Sequence, residues 1–249
     1  MNVVTTEAIV LRSYNLAEAD RIVLCFTRDA GLIRGVAKGA RRMNSRFGAA
    51  LEPFTIVRLE FREKENRELV TITGVEILTS HFELAADVEC AEALGYMAEL
   101  VNEFAPPHEA NEKLFRMVSA CLDALAVSPE ISKIILRYFE IWILRLAGSF
   151  PDVSGCAVCG TALTPAQPVY LDFESAARCG NCSRGVGTRL MPAIQQILIS
   201  SQRLSPAQFA SAYQPTFEQT DAELGEFTHR LIVRALERRP RAMVAPRRG

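Results

Sequence analysis

Four thiols stand out in CAVCGTALTPAQPVYLDFESAARCGNC: Cys156 and Cys159 form one CxxC pair, Cys179 and Cys182 a second, with 19 residues between the pairs. A CxxC turn lets two sulfurs converge on one ion, and two such turns supply the tetrahedral set that zinc prefers. Paired CxxC at this spacing therefore predicts one structural Zn2+ held by Cys156, Cys159, Cys179 and Cys182. A thioredoxin-like redox couple fits poorly, because neither pair opens a helix that follows a βαβ strand. A catalytic zinc fits poorly too, since four cysteines leave no open coordination position. His81-Phe82-Glu83 matches half of the zinc deaminase pattern. However, Gly155 stands where that pattern wants Pro, and more than 70 residues separate the halves. His81 reads instead as a boundary residue, and His108 and His229 have no ligand spacing. The single cysteines Cys25, Cys90 and Cys121 sit in apolar patterns and read as small buried hydrophobes.

A second chemistry is carried by charge. Between Ala30 and Leu51 stand Arg34, Lys38, Arg41, Arg42 and Arg46, with no carboxylate among them. Small residues (Gly35, Gly39, Ala40, Ser45, Gly48) separate the cations, so backbone and guanidinium groups can both approach a phosphate chain. A solvated basic loop is the plainer reading of the same composition. Tyr14 and Phe47 could stack on bases or could equally belong to a core.

The elements that must position these groups can be read from the period. TEAIVLRSY, DRIVLCFTRD, GLIRGVAKGARR, PFTIVRLEFRE and LVTITGVEIL are β-rich runs within about 75 residues, broken by turns such as EKENRE. Five short strands with no long helix between them suit a small closed barrel of the OB type, a fold that binds nucleic acid strands through a cationic groove and aromatic stacking. The basic segment is then one strand and the exposed loop leaving it. From His81 the period becomes helical, over residues 82–104, 111–127 and 129–148, with Pro129 at a helix start and Gly148 closing the third. The third helix is apolar on most sides and reads as the centre of a bundle, its aromatics as core. Beyond the cysteines, 191–200 and 205–213 read as short helices and 220–239 as a longer one with Thr220 as N-cap. PVYLDFESAAR reads as a short strand. The predicted fold class is α+β: an N-terminal OB-fold β-barrel (1–80), an α-helical domain (81–150 and 190–240), an inserted four-cysteine zinc-binding module (151–189) and a mobile tail (241–249).

The 249 residues suffice for one large domain or two to three small ones, and 49% of them are apolar, as in a globular chain. No apolar run approaches the roughly 20 residues of a membrane-spanning helix, and MNVVTTEAIV lacks a basic, apolar leader, so a cytoplasmic location is expected. The formal net charge of −1 conceals asymmetry. Residues 1–80 carry 12 basic and 10 acidic side chains, residues 81–150 carry 5 and 11, and residues 151–249 carry 11 and 8.

TEAIVLRSYNLAEADRIVLCFTRDAGLIRGVAKGARR, the helical region, and a cysteine insertion entered through RLAGSFPDVSGCAVCG together resemble the RecO family of bacterial DNA repair proteins. The resemblance covers essentially the whole chain and is most specific in EADRIV, in KGARR and in the approach to the first cysteine pair. It implies an OB fold, a helical C-terminal domain and a zinc module in a recombination mediator without catalytic turnover. Such proteins bind single- and double-stranded DNA, anneal complementary strands, contact the acidic C-terminal tail of single-strand binding protein, and work with RecR to load RecA. By position, Lys38, Arg41 and Arg42 would hold DNA phosphates, with Arg34 and Arg46 beside them, and the four cysteines match the zinc ligands. A nucleoid-associated place in the cytoplasm follows. The family often has a Gly-Gly turn before the second cysteine pair, where this chain reads ESAARC, and some members lack the cysteines. An acidic tail needs a basic rim around an apolar pocket, and in the acidic helical region that points to Arg116, Lys133 and Arg137. Two other readings compete: a zinc-dependent hydrolase or deaminase, and a protein–protein adaptor that does not bind DNA.

Overall fold

The structure is a computed structural model that describes residues 3–63 and 69–241. Most of the polar turn EKENRE (residues 64–68) and all but the first residue of the C-terminal tail (242–249) lie outside the described residues.

Runs rich in β-branched and other apolar residues, alternating with polar ones in Ile56–Arg62, make the first strands. β1 (Val3–Leu16), β2 (Asp20–Thr27), β3 (Gly31–Ala37), β4 (Ile56–Arg62) and β5 (Leu69–Thr79) close into a barrel in the order β1-β2-β3-β5-β4. All neighbours are antiparallel except β3 and β5, which run parallel over Arg34–Val36 and Leu69–Thr71. Side chains of alternate residues fill the interior, among them Val10, Val23, Cys25, Ile33, Val57, Leu59, Phe61, Val70 and Ile72. Gly35 belongs to this inner row because a Cβ there would fall 2.7 Å from Ile72 Cγ1. Phe47, Ala50 and Leu51, on and beside a 3-10 turn at Gly48–Leu51, join the same core. Phe47 is 2% exposed, so it is core and unavailable for stacking.

Helical periodicity takes over after His81. Phe82–Ala86 forms a separate 3-10 turn, and α1 (Val88–Phe104) begins only after extended Asp87, whose carboxylate accepts from Cys90 N at 2.8 Å. α2 (Glu112–Val127) is capped in the same way by Asn111. The pair packs on the barrel: Phe26 meets Phe115 with ring centroids 5.9 Å apart, and Arg28 lies over the Phe115 ring. The segment between the two helices adds a parallel bridge to β3. Leu32 N donates to Pro106 O (3.5 Å) and His108 N donates to Leu32 O (3.4 Å). Gly31, at φ 64°, permits this approach, since a Cβ there would meet Glu109 O at 2.3 Å.

These elements up to Ser132, with Pro240 and Arg241, make one compact unit; residues 133–239 make a second. In the second unit, α3 (Ser132–Leu146) follows a 3-10 turn at Pro129–Ile131 and buries Ile134, Ile135, Tyr138, Phe139, Ile141, Ile143 and Leu144. A three-stranded antiparallel sheet, β6 (Val169–Leu171), β7 (Ala177–Cys179) and β8 (Thr188–Leu190), has the order β7-β6-β8, with the single-turn α4 (Gly180–Ser183) after β7. The segment expected as one strand is thus a hairpin. Its turn is closed by Asp172, whose carboxylate accepts from Glu174 N and Ala176 N, and by Ser175 at φ 65°, which takes the left-handed position without glycine. The helices α5 (Pro192–Ser200), α6 (Pro206–Tyr213) and α7 (Phe217–Leu236) complete the unit. Thr220 lies inside α7 and is no N-cap: its hydroxyl is buried and bonds to Thr216 O and Tyr213 Oη.

Candidate nucleic-acid interface and metal centre

The cationic turn is built by two hairpins that meet. The β1–β2 turn brings Asp20 to the end of β3, where its carboxylate accepts from Gly39 N at 2.8 Å. Gly39 has φ 72°, a backbone conformation that glycine adopts without steric cost. Arg41 then donates from its backbone N–H to Ala19 O (2.9 Å) and from Nη1 to Ala17 O (3.0 Å). The result is a compact loop that presents Lys38, Arg41 and Arg42 to solvent, with Arg34 exposed on β3 and Arg46 lying over the Phe47 ring at 4.9 Å. Among the described residues none of the five forms an ion pair, so their charge is available to an anion. Arg41 differs from the others in spending part of its donor set on the neighbouring hairpin.

The four cysteines converge as the spacing predicts. Their Sγ atoms all lie within 4.8 Å of one another, with Cys159 and Cys179 at 3.9 Å. Tetrahedral zinc with Zn–S bonds of about 2.3 Å sets its sulfurs about 3.8 Å apart, so this set fits a thiolate-bound metal. Each pair sits on a tight turn. In the first, Cys156 N donates to Thr161 O and Gly160 N to Cys156 O; in the second, Cys182 N donates to Cys179 Sγ at 3.5 Å. Backbone N–H groups of Cys159, Cys179 and Val158 stabilise the Cys156 thiolate and bring that thiol down to about 6. Cys159 is lowered as well, chiefly by Thr161. Crowding by Cys179 and Cys159 pushes Cys182 up to about 12. Four thiolates cannot share this space without a cation between them, a charge that a divalent ion would supply. His81 stands apart from this chemistry. It is buried in the first unit, with Nδ1 3.1 Å from Phe54 O and Nε2 3.6 Å from Asp123.

Comparison with known proteins matches residues 1–81 to the N-terminal domain of recombination protein O and residues 87–242 to its C-terminal domain. The chain belongs to the RecO family. The DNA repair protein RecO of Koribacter versatilis (strain Ellin345) is 36% identical over 94% of both chains. That of Anaeromyxobacter sp. (strain K) is 35% identical over 85% of this chain and 83% of the relative. That of Bifidobacterium longum (strain DJO10A) is 37% identical over 70% of this chain and 72% of the relative. This RecO-family chain is accordingly a DNA repair protein with an OB-like barrel, a helical domain and a four-cysteine group able to hold a metal ion. Among the described residues no helix is long and apolar enough to cross a membrane.

The three cations expected at a RecO partner pocket are divided between the two compact units. Arg116, exposed on α2, belongs to the first compact unit, whereas Lys133 and Arg137 belong to the second. Lys133 is exposed. Arg137 is committed internally: Nε donates to Asp221 at 2.7 Å and Nη1 to Glu140 at 2.6 Å, while Thr228 Oγ1 donates to the same Glu140 oxygen at 2.7 Å. Glu140 is 1% exposed. Gly225 on α7 leaves room for the guanidinium, since a Cβ there would fall 2.7 Å from Arg137 Nη2. Reading the sequence missed Asp20 as the anchor of the RecO cationic turn. The signal was present in the pairing of EADRIV with KGARR, two motifs joined by the Gly39–Asp20 and Arg41–Ala19 hydrogen bonds.

Proposed function

We propose that the chain is a mediator of homologous recombination and DNA repair that binds single- and double-stranded DNA, anneals complementary strands and, with RecR, helps load RecA on DNA coated with single-strand binding protein. The observation that carries the reading is the exposed turn of Lys38, Arg41 and Arg42, free of carboxylate partners and held in shape on a closed OB-like barrel. Phosphate contacts release condensed counterions, so affinity falls steeply with salt. The metal is zinc, one ion, and its role is structural, because the closed sulfur set supports folding and leaves no coordination position for a reacting water. The protein acts without catalytic turnover, in the nucleoid-bearing cytoplasm. Contact with the acidic tail of single-strand binding protein falls to exposed cations of the helical region, Arg116 in the first unit or Lys133 in the second, with Arg137 shaping the second unit from within.

Strand annealing on oligonucleotides coated with single-strand binding protein tests this directly. The wild-type chain should accelerate annealing, and joint replacement of Lys38, Arg41 and Arg42 by Ala should abolish the gain. The same variant should bind DNA more weakly and lower the slope of log affinity against log salt by about 2 to 3, one phosphate per lost cation. Unchanged affinity and slope would make the turn a solvated loop.

A further inference from the structure

One face of the barrel is apolar where water should have made it polar. Partners in the strand registers point to the same side of the sheet. Tyr14 stands opposite Ile22, Ile22 opposite Val36, Val36 opposite Thr71, and Thr71 opposite Arg62. Their sequence neighbours Ser13, Val23, Gly35, Val70 and Phe61 occupy the alternate positions, and Val23, Val70 and Phe61 are in the barrel core. The row Tyr14-Ile22-Val36-Thr71-Arg62 therefore faces outward. An antiparallel sheet with a solvated face ordinarily carries polar side chains there. Here Tyr14 is 51% exposed, and Ile22 and Val36 are half-buried beside it. Among the described residues the Tyr14 ring has no aromatic or cation partner.

The cations occupy the same face. Positions 34 and 36 share one side of β3, which places exposed Arg34 beside Val36; exposed Lys38 follows in the turn that leaves the strand, and Arg62 ends the row. Among the described residues the acidic groups around this face are Glu18, exposed in the β1–β2 turn, Asp20, which is engaged by Gly39 N, Glu52, paired with Arg21 at 2.9 Å, and exposed Glu63 after Arg62. The Arg41 bonds to Ala17 and Ala19 tie the cationic turn to the hairpin on which Tyr14 lies.

We propose that Tyr14 is a base-stacking residue that makes this face selective for single-stranded DNA, as distinct from the cationic turn, which serves both strand types. The inference rests on the DNA-binding reading and adds to it a second, separable contact. A flat ring flanked by phosphate-binding cations receives an unstacked base, whatever its identity, because every base has a π-face. A duplex keeps its bases stacked on one another and offers the ring only its backbone. The apolar floor of Ile22 and Val36 holds the ring in place and excludes water beneath the base.

The test measures binding of the full-length chain to oligo-dT and to a mixed-sequence duplex by fluorescence anisotropy at two salt concentrations. Tyr14→Ala should lower oligo-dT affinity by about tenfold, as loss of one stacked base does, leaving duplex affinity and both salt slopes unchanged. Tyr14→Phe should retain wild-type selectivity. Photocrosslinking of oligonucleotides that carry 5-iododeoxyuridine should place the adduct on Tyr14 in the wild-type chain. Oligo-dT affinity unaltered in Tyr14→Ala, or a parallel loss on both substrates, overturns the assignment while the DNA-binding reading stands. Wild-type chain that binds neither substrate at low salt would instead remove the DNA-binding reading, and this inference with it.

Discussion

Asp20 and Arg137 show how one polar side chain can decide the conduct of its neighbours. Asp20 holds the cationic turn through Gly39 N, a bond to a charged acceptor of the kind that contributes about 1.5–3 kcal/mol. Removing an acid near a DNA site should on charge alone strengthen binding. Loss of the anchor is the larger effect, so Asp20→Ala should bind DNA several-fold more weakly, with an unchanged salt slope and faster exchange of the Gly39 amide. Stronger binding would show that the turn needs no anchor. Arg137 stands between two carboxylates, with its side chain 19% exposed. Arg137→Ala leaves Glu140 buried without its cation, and breaking such a pair costs about 3–5 kcal/mol. Its urea midpoint should fall accordingly, whereas Arg116→Ala and Lys133→Ala should leave stability within about 0.5 kcal/mol. The presence of these charges was legible in the sequence; their commitments were not. Arg137 meets Asp221 across 84 positions, a separation that no local pattern encodes.

The elements divide in the same way between what period reveals and what it hides. Alternation or β-rich runs bounded by turns marked all five barrel strands, and a helical period marked α1, α2 and α3. Helix starts were misplaced where a 3-10 turn precedes the helix: Asp87 restarts the chain after one, and α7 begins at Phe217, ahead of Thr220, after another. The strands β6, β7 and β8, three residues each, are too short to show a period at all. So small a sheet cannot stand on its own apolar contacts, of which Val169, Leu171, Ala177 and Leu190 are the main ones. On the zinc reading proposed above, metal binding would supply the missing folding free energy. One zinc per chain should be found by elemental analysis. Cys159→Ser should release it to a chromogenic chelator far more readily than the wild-type chain, with loss of protection from proteolysis across residues 153–190. Equal metal retention and equal protection would show that the sulfurs are dispensable.

At the scale of the whole molecule, the two compact units separate the two chemistries. The cationic turn and the Tyr14 face belong to the first, the sulfur cluster to the second. Chelation should therefore lower the calorimetric transition of residues 133–239 and leave DNA affinity of the full chain within about twofold, while a parallel loss of affinity would tie the metal to DNA contact. The first unit carries a different lesson in the contact that Gly31 permits. Leu32 exchanges hydrogen bonds with Pro106 and His108, so the stretch between α1 and α2 is laid against β3, the strand that also presents Arg34 and Lys38. In mechanical terms this is a rivet between the barrel and the helix pair that follows it. The barrel cannot swing away from its helix pair without breaking rungs on the strand that carries Arg34.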